Sequence, residues 1–232
     1  MQPTQNIFEQ GQVLLIDKPL RWTSFDVVRK VRNLIRIKKV GHAGTLDPLA
    51  TGLLILCTGK FTKRINEYMA QEKEYTGTFT LGAVTPTYDL ESEPQEHKGY
   101  EHLDENAIHE ATLQFIGDIK QLPPAHSAIK VEGKRLYELA RKGQEVKLEP
   151  RNVSISIFEV TSIKLPVVNF RVVCSTGTYI RSLAFDFGNA LQCGAYLSSL
   201  RRTRIGSFGV DEAMDMERAE KWIREQLEDQ NG

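Results

Sequence analysis

A glycine-punctuated stretch, residues 41–52, runs straight into the continuous apolar run Leu53-Leu54-Ile55-Leu56-Cys57. Five successive apolar residues bounded by turn-formers suit a strand buried on both faces, so whatever precedes them is anchored to the core. The preceding residues read Gly41-His42-Ala43-Gly44-Thr45-Leu46-Asp47-Pro48-Leu49-Ala50-Thr51-Gly52. Leu46 and Leu49 flank Asp47, and Pro48 fixes the backbone beside it. Gly, Pro and Asp together suit a plain surface turn. A carboxylate held in a partly dry loop, as nucleophile or base, also accounts for the apolar flanks. On these residues alone both readings stand.

The segment leading to this loop is basic. Gln12 to Ile16 form a short apolar strand ending at Asp17-Lys18-Pro19. Thr23 or Ser24 can then cap a helix whose apolar stripe is Val27, Val28, Val31, Leu34 and Ile35. Arg29, Lys30, Arg32, Arg36, Lys38 and Lys39 follow with no acid among residues 29–39. Lys and Arg total 30 against 30 Asp and Glu, but the acids gather in 89–105 and 211–229. A neutral chain can therefore present a basic face, suited to a substrate that carries phosphates, although a solvated helix face has the same composition.

Composition excludes several classes. With 232 residues, 41% of them hydrophobic, the chain can build one large domain or two closely joined halves. No run approaches the ~18 apolar residues of a membrane span, and the first residues lack the pattern of a signal peptide. Cys57, Cys174 and Cys193 are odd in number and far apart, which suggests a reducing, cytoplasmic setting with Cys57 and Cys174 in the core. The histidines at 42, 97, 102, 109 and 126 form no ligand pair, so no metal is expected.

Further along, Thr58-Gly59-Lys60 fails as a phosphate loop, because Leu54 stands where a glycine is needed and Phe61 where Ser or Thr would bind magnesium. Residues 61–69 read as a short helix, and 73–81 alternate as a half-buried strand carrying Tyr75. Residues 85–89 form a turn, and Asp104 can cap a helix to about Phe115. Ser127 and Lys130 match the spacing of penicillin-binding serine enzymes, without the accompanying motifs. A short basic helix closed by Gly143 follows, and Lys130 to Arg151 hold seven basic residues against four acids. Val153, Ile155 and Ile157 are expected to face the core, and residues 169–174 form another strand. Residues 175–183 are a loop entering a helix, and a last helix spans about 216–227 with Trp222.

GHAGTLDPLATGLL, together with KEY at 73–75, PPAHSAIKVEGKRLYELARKG at 123–143, STGTYIRSL at 175–183 and LSSLRRTRIG at 197–206, resembles the TruB family of tRNA pseudouridine synthases. The chain departs at Ala43, where many relatives have threonine, and at Ser92, within what is Glu-Gly-Glu elsewhere. The resemblance implies an α+β fold: a mixed, largely antiparallel sheet flanked by helices, with two halves meeting at a catalytic cleft. It implies a single catalytic domain over 1–232, an RNA-gripping insertion at about 121–151, and no C-terminal PUA domain. The implied reaction is isomerisation of uridine 55 in the T-arm loop of tRNA to pseudouridine, without a cofactor, by a cytoplasmic monomer. Asp47 is then the essential residue, as nucleophile or as base. Tyr75 stacks on the target base and Arg181 pairs with the catalytic carboxylate. His42 fills the space the flipped base leaves, Tyr179 and Leu200 line the pocket, and Asp89 supports the site. Lys18, Lys130, Arg141 and Arg202 meet the RNA. Three rivals share parts of this pattern: an RNA-guided relative within a ribonucleoprotein, a non-catalytic RNA chaperone, and a serine acyl-enzyme built on Ser127 and Lys130.

Overall fold

A computed structural model of the chain describes residues 6–124, 130–131, 134–135 and 148–229. The chain divides into two compact units, residues 1–75 with 200–232, and residues 76–199.

The first unit begins with α1 (Ile7–Gln10) and β1 (Val13–Lys18), followed by α2 (Ser24–Ile35), β2 (Val40–His42) and β3 (Ala50–Thr58). A 3-10 segment, Gly59–Arg64, leads into α3 (Ile65–Met69), so the expected helix over 61–69 divides into two helical types. Strand β4 (Lys73–Leu81) starts here, and after the second unit the chain returns through β10 (Ala195–Ile205), β11 (Phe208–Gly209) and helix α6 (Met216–Asp229). Thr23 caps α2: its hydroxyl accepts from the Asp26 amide, while the Asp26 carboxylate accepts from the Thr23 amide.

β1 and β2 both pair antiparallel with β3, and residues 200–202 of β10 lie parallel to it, Arg202 opposite Gly52. One face of β3, with Leu54 and Leu56, packs with Leu14, Ile16, the α2 stripe of Val27, Val28, Val31 and Ile35, and Ala219 and Ile223 of α6. The other face, with Leu53, Ile55 and Cys57, packs with Ala43, Tyr68 and Ile205. Burial on both sides explains why the apolar run does not alternate.

The second unit contains the rest of β4, α4 (Glu105–Leu113), β5 (Gly117–Gln121), β8 (Arg151–Lys164), β9 (Val167–Cys174), α5 (Ile180–Ala190) and the start of β10. Strands β6 (Lys130–Val131) and β7 (Lys134–Arg135) pair separately. The strand order here is β10-β4-β9-β8-β5, with β8 antiparallel to both β9 and β5. Asp104 caps α4 by accepting from the Ala107 amide, as its position predicts. Phe79 stacks on Phe170 at 4.1 Å, with Phe158, Phe187 and Phe115 around them as the aromatic core. Thr78 and Thr80 share hydroxyl hydrogen bonds with Ser198 across β4 and β10. The sheets are mixed and largely antiparallel with helices beside them, as expected.

One inward set was misplaced. Val153 and Ile155 are buried, but Ile157 is only half-buried, and Phe158 and Val160 take the inward positions instead. The register slips between Ile155 and Ile157, and such a bulge turns the alternation over.

At Gly52 the backbone of β10 lies close against β3. Gly52 has a φ of +101°, and a Cβ there would collide with the backbone of Arg202. Gly52→Ala is expected to lower the unfolding free energy by about 2–4 kcal/mol. Urea titration would read this as a lower midpoint, and an unchanged midpoint would contradict the close approach.

Candidate functional site

Asp47 lies in the connection between β2 and β3, half-buried, with its carbonyl accepting from the Ala50 amide at 3.0 Å to close a turn. Four groups hold this loop. Ser24, the first residue of α2, accepts from the Leu46 amide at 2.8 Å and donates to the Leu46 carbonyl at 3.2 Å. Arg202 donates to the Gly44 carbonyl at 3.0 Å and to the Leu53 carbonyl at 2.7 Å. The Arg21 amide donates to the Pro48 carbonyl at 2.7 Å. The Lys18 ammonium donates to the carbonyls of Trp22 at 2.6 Å, Pro19 at 2.9 Å and Pro48 at 3.5 Å. Each neighbour of Asp47 in sequence is thus tied to another element, and Gly44, at a φ of +97°, makes the bend that lets Arg202 reach its carbonyl.

Two of these groups are unusual in being cations with almost no exposure, Lys18 at 0% and Arg202 at 1%. A buried charge is sustained only by partners, and here backbone carbonyls supply them. Burial pulls the Lys18 ammonium down to about 8, with the Asp47 carboxylate opposing that fall and Arg202 adding to it. Lys18 therefore carries its charge at neutral pH beside Asp47. Burial, and then the Arg202 charge, also lower His42, at the end of β2, so its imidazole is neutral at pH 7. Tyr75, at 9% exposure on β4, and Leu200, half-buried opposite Ala50, belong to the same unit.

Arg202, expected to meet the RNA, is spent on backbone carbonyls, and the arginines near it in β10 are engaged internally as well. Arg201 forms two bonds to Asp17, at 2.7 and 3.0 Å, and Arg204 pairs with Glu72 at 3.0 Å and Glu74 at 3.7 Å. In the basic segment, Arg29 pairs with Asp26 and Lys30 with Glu220, both at 2.6 Å, while Arg36, Lys38 and Lys39 are exposed.

Asp89, Tyr179 and Arg181 belong to the second unit. Arg181 and Asp89 are both buried, 3.7 Å apart. Asp89 also accepts from the Thr87 hydroxyl at 2.6 Å and the Glu91 amide at 3.0 Å, so its role exceeds that of a turn residue. Ser92, at the departure from the family pattern, shares a 2.7 Å hydroxyl bond with Thr87 and accepts from the Thr87 amide at 3.1 Å. The Gln121 side chain clamps the backbone of Tyr179, accepting from its amide at 2.8 Å and donating to its carbonyl at 3.0 Å. Gln121 was missed in the sequence, because a lone glutamine at a strand end gives no signal of a partner 58 residues away. The Lys130 side chain, Arg141 and Ser127 lie outside the described residues. No group of three or more His, Cys, Asp or Glu among the described residues is placed to hold a metal ion, and no described helix is long and apolar enough to cross a membrane.

Comparison with known proteins covers nearly the whole chain. Residues 32–180 match the model for the TruB family pseudouridylate synthase (N terminal domain), and residues 181–231 match the tRNA pseudouridylate synthase B C-terminal domain. The chain is 56% identical to tRNA pseudouridine synthase B of Flavobacterium johnsoniae over 220 residues, covering 92% of this chain and 96% of the relative. It is 50% identical to tRNA pseudouridine synthase B of Chlorobaculum tepidum, covering 90% and 89% respectively. Among solved structures it is similar to a chain of a Cbf5-Nop10-Gar1 complex, with a TM-score of 0.75 and 30% identity. That match covers 98% of this chain but only 59% of the solved one.

The buried Lys18 ammonium yields a prediction. Activity should fall as pH rises through about 8, where that charge is lost beside Asp47. Lys18→Met should lower the rate at pH 7 by about 10²-fold through misplacement of the loop, and should flatten the alkaline limb. A full alkaline limb in Lys18→Met would assign that limb to another group.

Proposed function

The chain belongs to the TruB family of pseudouridylate synthases, and from that premise we propose that it isomerises uridine 55 in the T-arm loop of tRNA to pseudouridine. The observation that carries this reading is the Asp47 loop, braced on all sides, within a chain 56% identical to a tRNA pseudouridine synthase B.

The reaction breaks the N1–C1′ glycosidic bond, turns the uracil, and joins C5 to C1′; the C5 proton leaves and N1 gains one. The base must first leave its stack, at a cost of a few kcal/mol. Tyr75 offsets part of that cost by stacking on the flipped base, worth roughly 1–3 kcal/mol. The neutral His42 ring occupies the vacated space without bringing a charge into it. Asp47 acts on the ribose or the base, as nucleophile or as base at the sugar, with its charge and that of the Lys18 ammonium close enough to attract. Arg181 and Tyr179 serve the reaction from the second unit, Tyr179 with its backbone held by Gln121, and Leu200 serves it from the first. Asp89 orients Arg181. Lys18 and Arg202, buried as they are, serve the loop, which leaves phosphate contact to Lys130, Arg141 and the exposed cations of residues 36–39. In this reading the two units act as one catalytic domain, the protein works as a monomer in the cytoplasm, and no cofactor takes part.

The RNA-guided alternative is favoured by the resemblance to the Cbf5 structure, at 30% identity. The higher identity to the tRNA enzymes favours action on bare tRNA. The test is to incubate purified protein with an unmodified tRNA transcript, treat the RNA with a carbodiimide, and extend a primer across the T-arm. The reading predicts a stop at uridine 55 that disappears when this uridine is changed to cytidine. A stop that requires added guide RNA and partner proteins would support the guided alternative. Bound RNA without any stop would support the chaperone.

A further inference from the structure

Arg21 has a backbone φ of 66°, in the left-handed region that non-glycine residues rarely adopt. Arg36, with a φ of 57°, has an ordinary reason, since it is the C-cap of α2. Arg21 caps nothing. Its amide instead donates to the Pro48 carbonyl, one residue beyond Asp47, and its side chain is exposed. A strained conformation persists where the surroundings enforce it, and such positions cluster at ligand clamps and active sites.

The side chain opens onto a cleft of about 380 Å³ lined by Arg21, Trp22, Asp26, Arg29, Lys30 and Asn33. This lining holds three cations against one carboxylate. Asp26 pairs with Arg29, and Lys30 is answered by Glu220 of α6, which leaves the Arg21 guanidinium as the cation of the lining without an ion pair among the described residues, in a cleft that Asn33 also lines. Trp22 is half-buried against the core and supplies an apolar wall, and its carbonyl is one of the three that hold Lys18. Leu20 and Phe25, on either side in sequence, are 53% and 58% exposed. Exposed arginine beside aromatic and apolar groups suits the alternating phosphates and bases of RNA, and a guanidinium fork fits a phosphate.

We propose that this cleft binds a backbone phosphate of the substrate RNA through Arg21 and Asn33, beside the segment whose Pro48 carbonyl accepts from the Arg21 amide. The inference rests on the reading of the chain as an RNA-modifying enzyme.

Arg21→Gly tests this without threatening the fold, because glycine accepts the φ that arginine does not. Asn33→Glu, at an exposed helix position, places a carboxylate in the same cleft and serves as the second variant. With the full-length protein and an unmodified T-arm hairpin, both should bind about tenfold more weakly. The slope of log affinity against log salt should fall by about one for Arg21→Gly. The loss should fall on KM rather than on kcat, a split that a merely structural role would not produce. Wild-type protein that converts the hairpin while both variants match its affinity and salt slope would overturn the cleft alone. Wild-type protein that neither binds nor converts the hairpin would overturn the cleft and the reading of function together.

Discussion

Lys18 and Arg202 are charges placed where charges are costly, and the Asp47 loop depends on both. Each is almost fully buried, and each is stabilised by the carbonyls of the segments it joins. Arg202 ties Gly44, before Asp47, to Leu53, after it. Lys18 draws the carbonyls of Pro19, Trp22 and Pro48 together on the other side. Replacing either side chain by an apolar one would strand those carbonyls and release the loop. The charges also shape the local electrostatics: the Asp47 carboxylate opposes the fall that burial imposes on the Lys18 ammonium, and the Arg202 charge adds to burial in lowering His42.

The remainder of the first unit makes that arrangement possible. β3 is buried on both faces and accepts β1, β2 and β10 as partners, so a rigid element begins three residues after Asp47. Gly52 permits β10 to lie close enough for Arg202 to reach under the loop. In the second unit the same logic recurs with different groups. The Gln121 amide fixes the Tyr179 backbone, while Asp89 and the Thr87 carbonyl fix Arg181. Catalytic groups held by packed neighbours lose little freedom when the substrate arrives, which is the physical content of preorganisation.

Much of this could be read from the sequence where the signal was local. Thr23, one of the two expected candidates, caps α2, the apolar stripe of α2 faces the core, and Asp104 caps α4. Residues 53–57 lie in a doubly buried strand as their composition predicts. Non-local partners were not readable. Nothing near Lys18 in sequence announces that its ammonium is buried, and nothing near Arg201 or Arg204 announces Asp17, Glu72 or Glu74. Arg202, expected at the RNA, is found on backbone carbonyls, with Arg201 and Arg204 near it in ion pairs. Ile157 was misplaced for a related reason, because a one-residue bulge leaves no mark on an alternating pattern. The role proposed for Asp47 rests on a long motif, and the structure adds what holds its loop.

The central claim is that Asp47, in its braced loop, is the residue on which catalysis depends. Release of tritium from a T-arm hairpin labelled at uridine C5, measured with wild-type protein and with Asp47→Asn, tests it most directly. The account predicts release by the wild type, and release slower by about 10³-fold or more for Asp47→Asn while the hairpin stays bound. Equal release by the two proteins would contradict it.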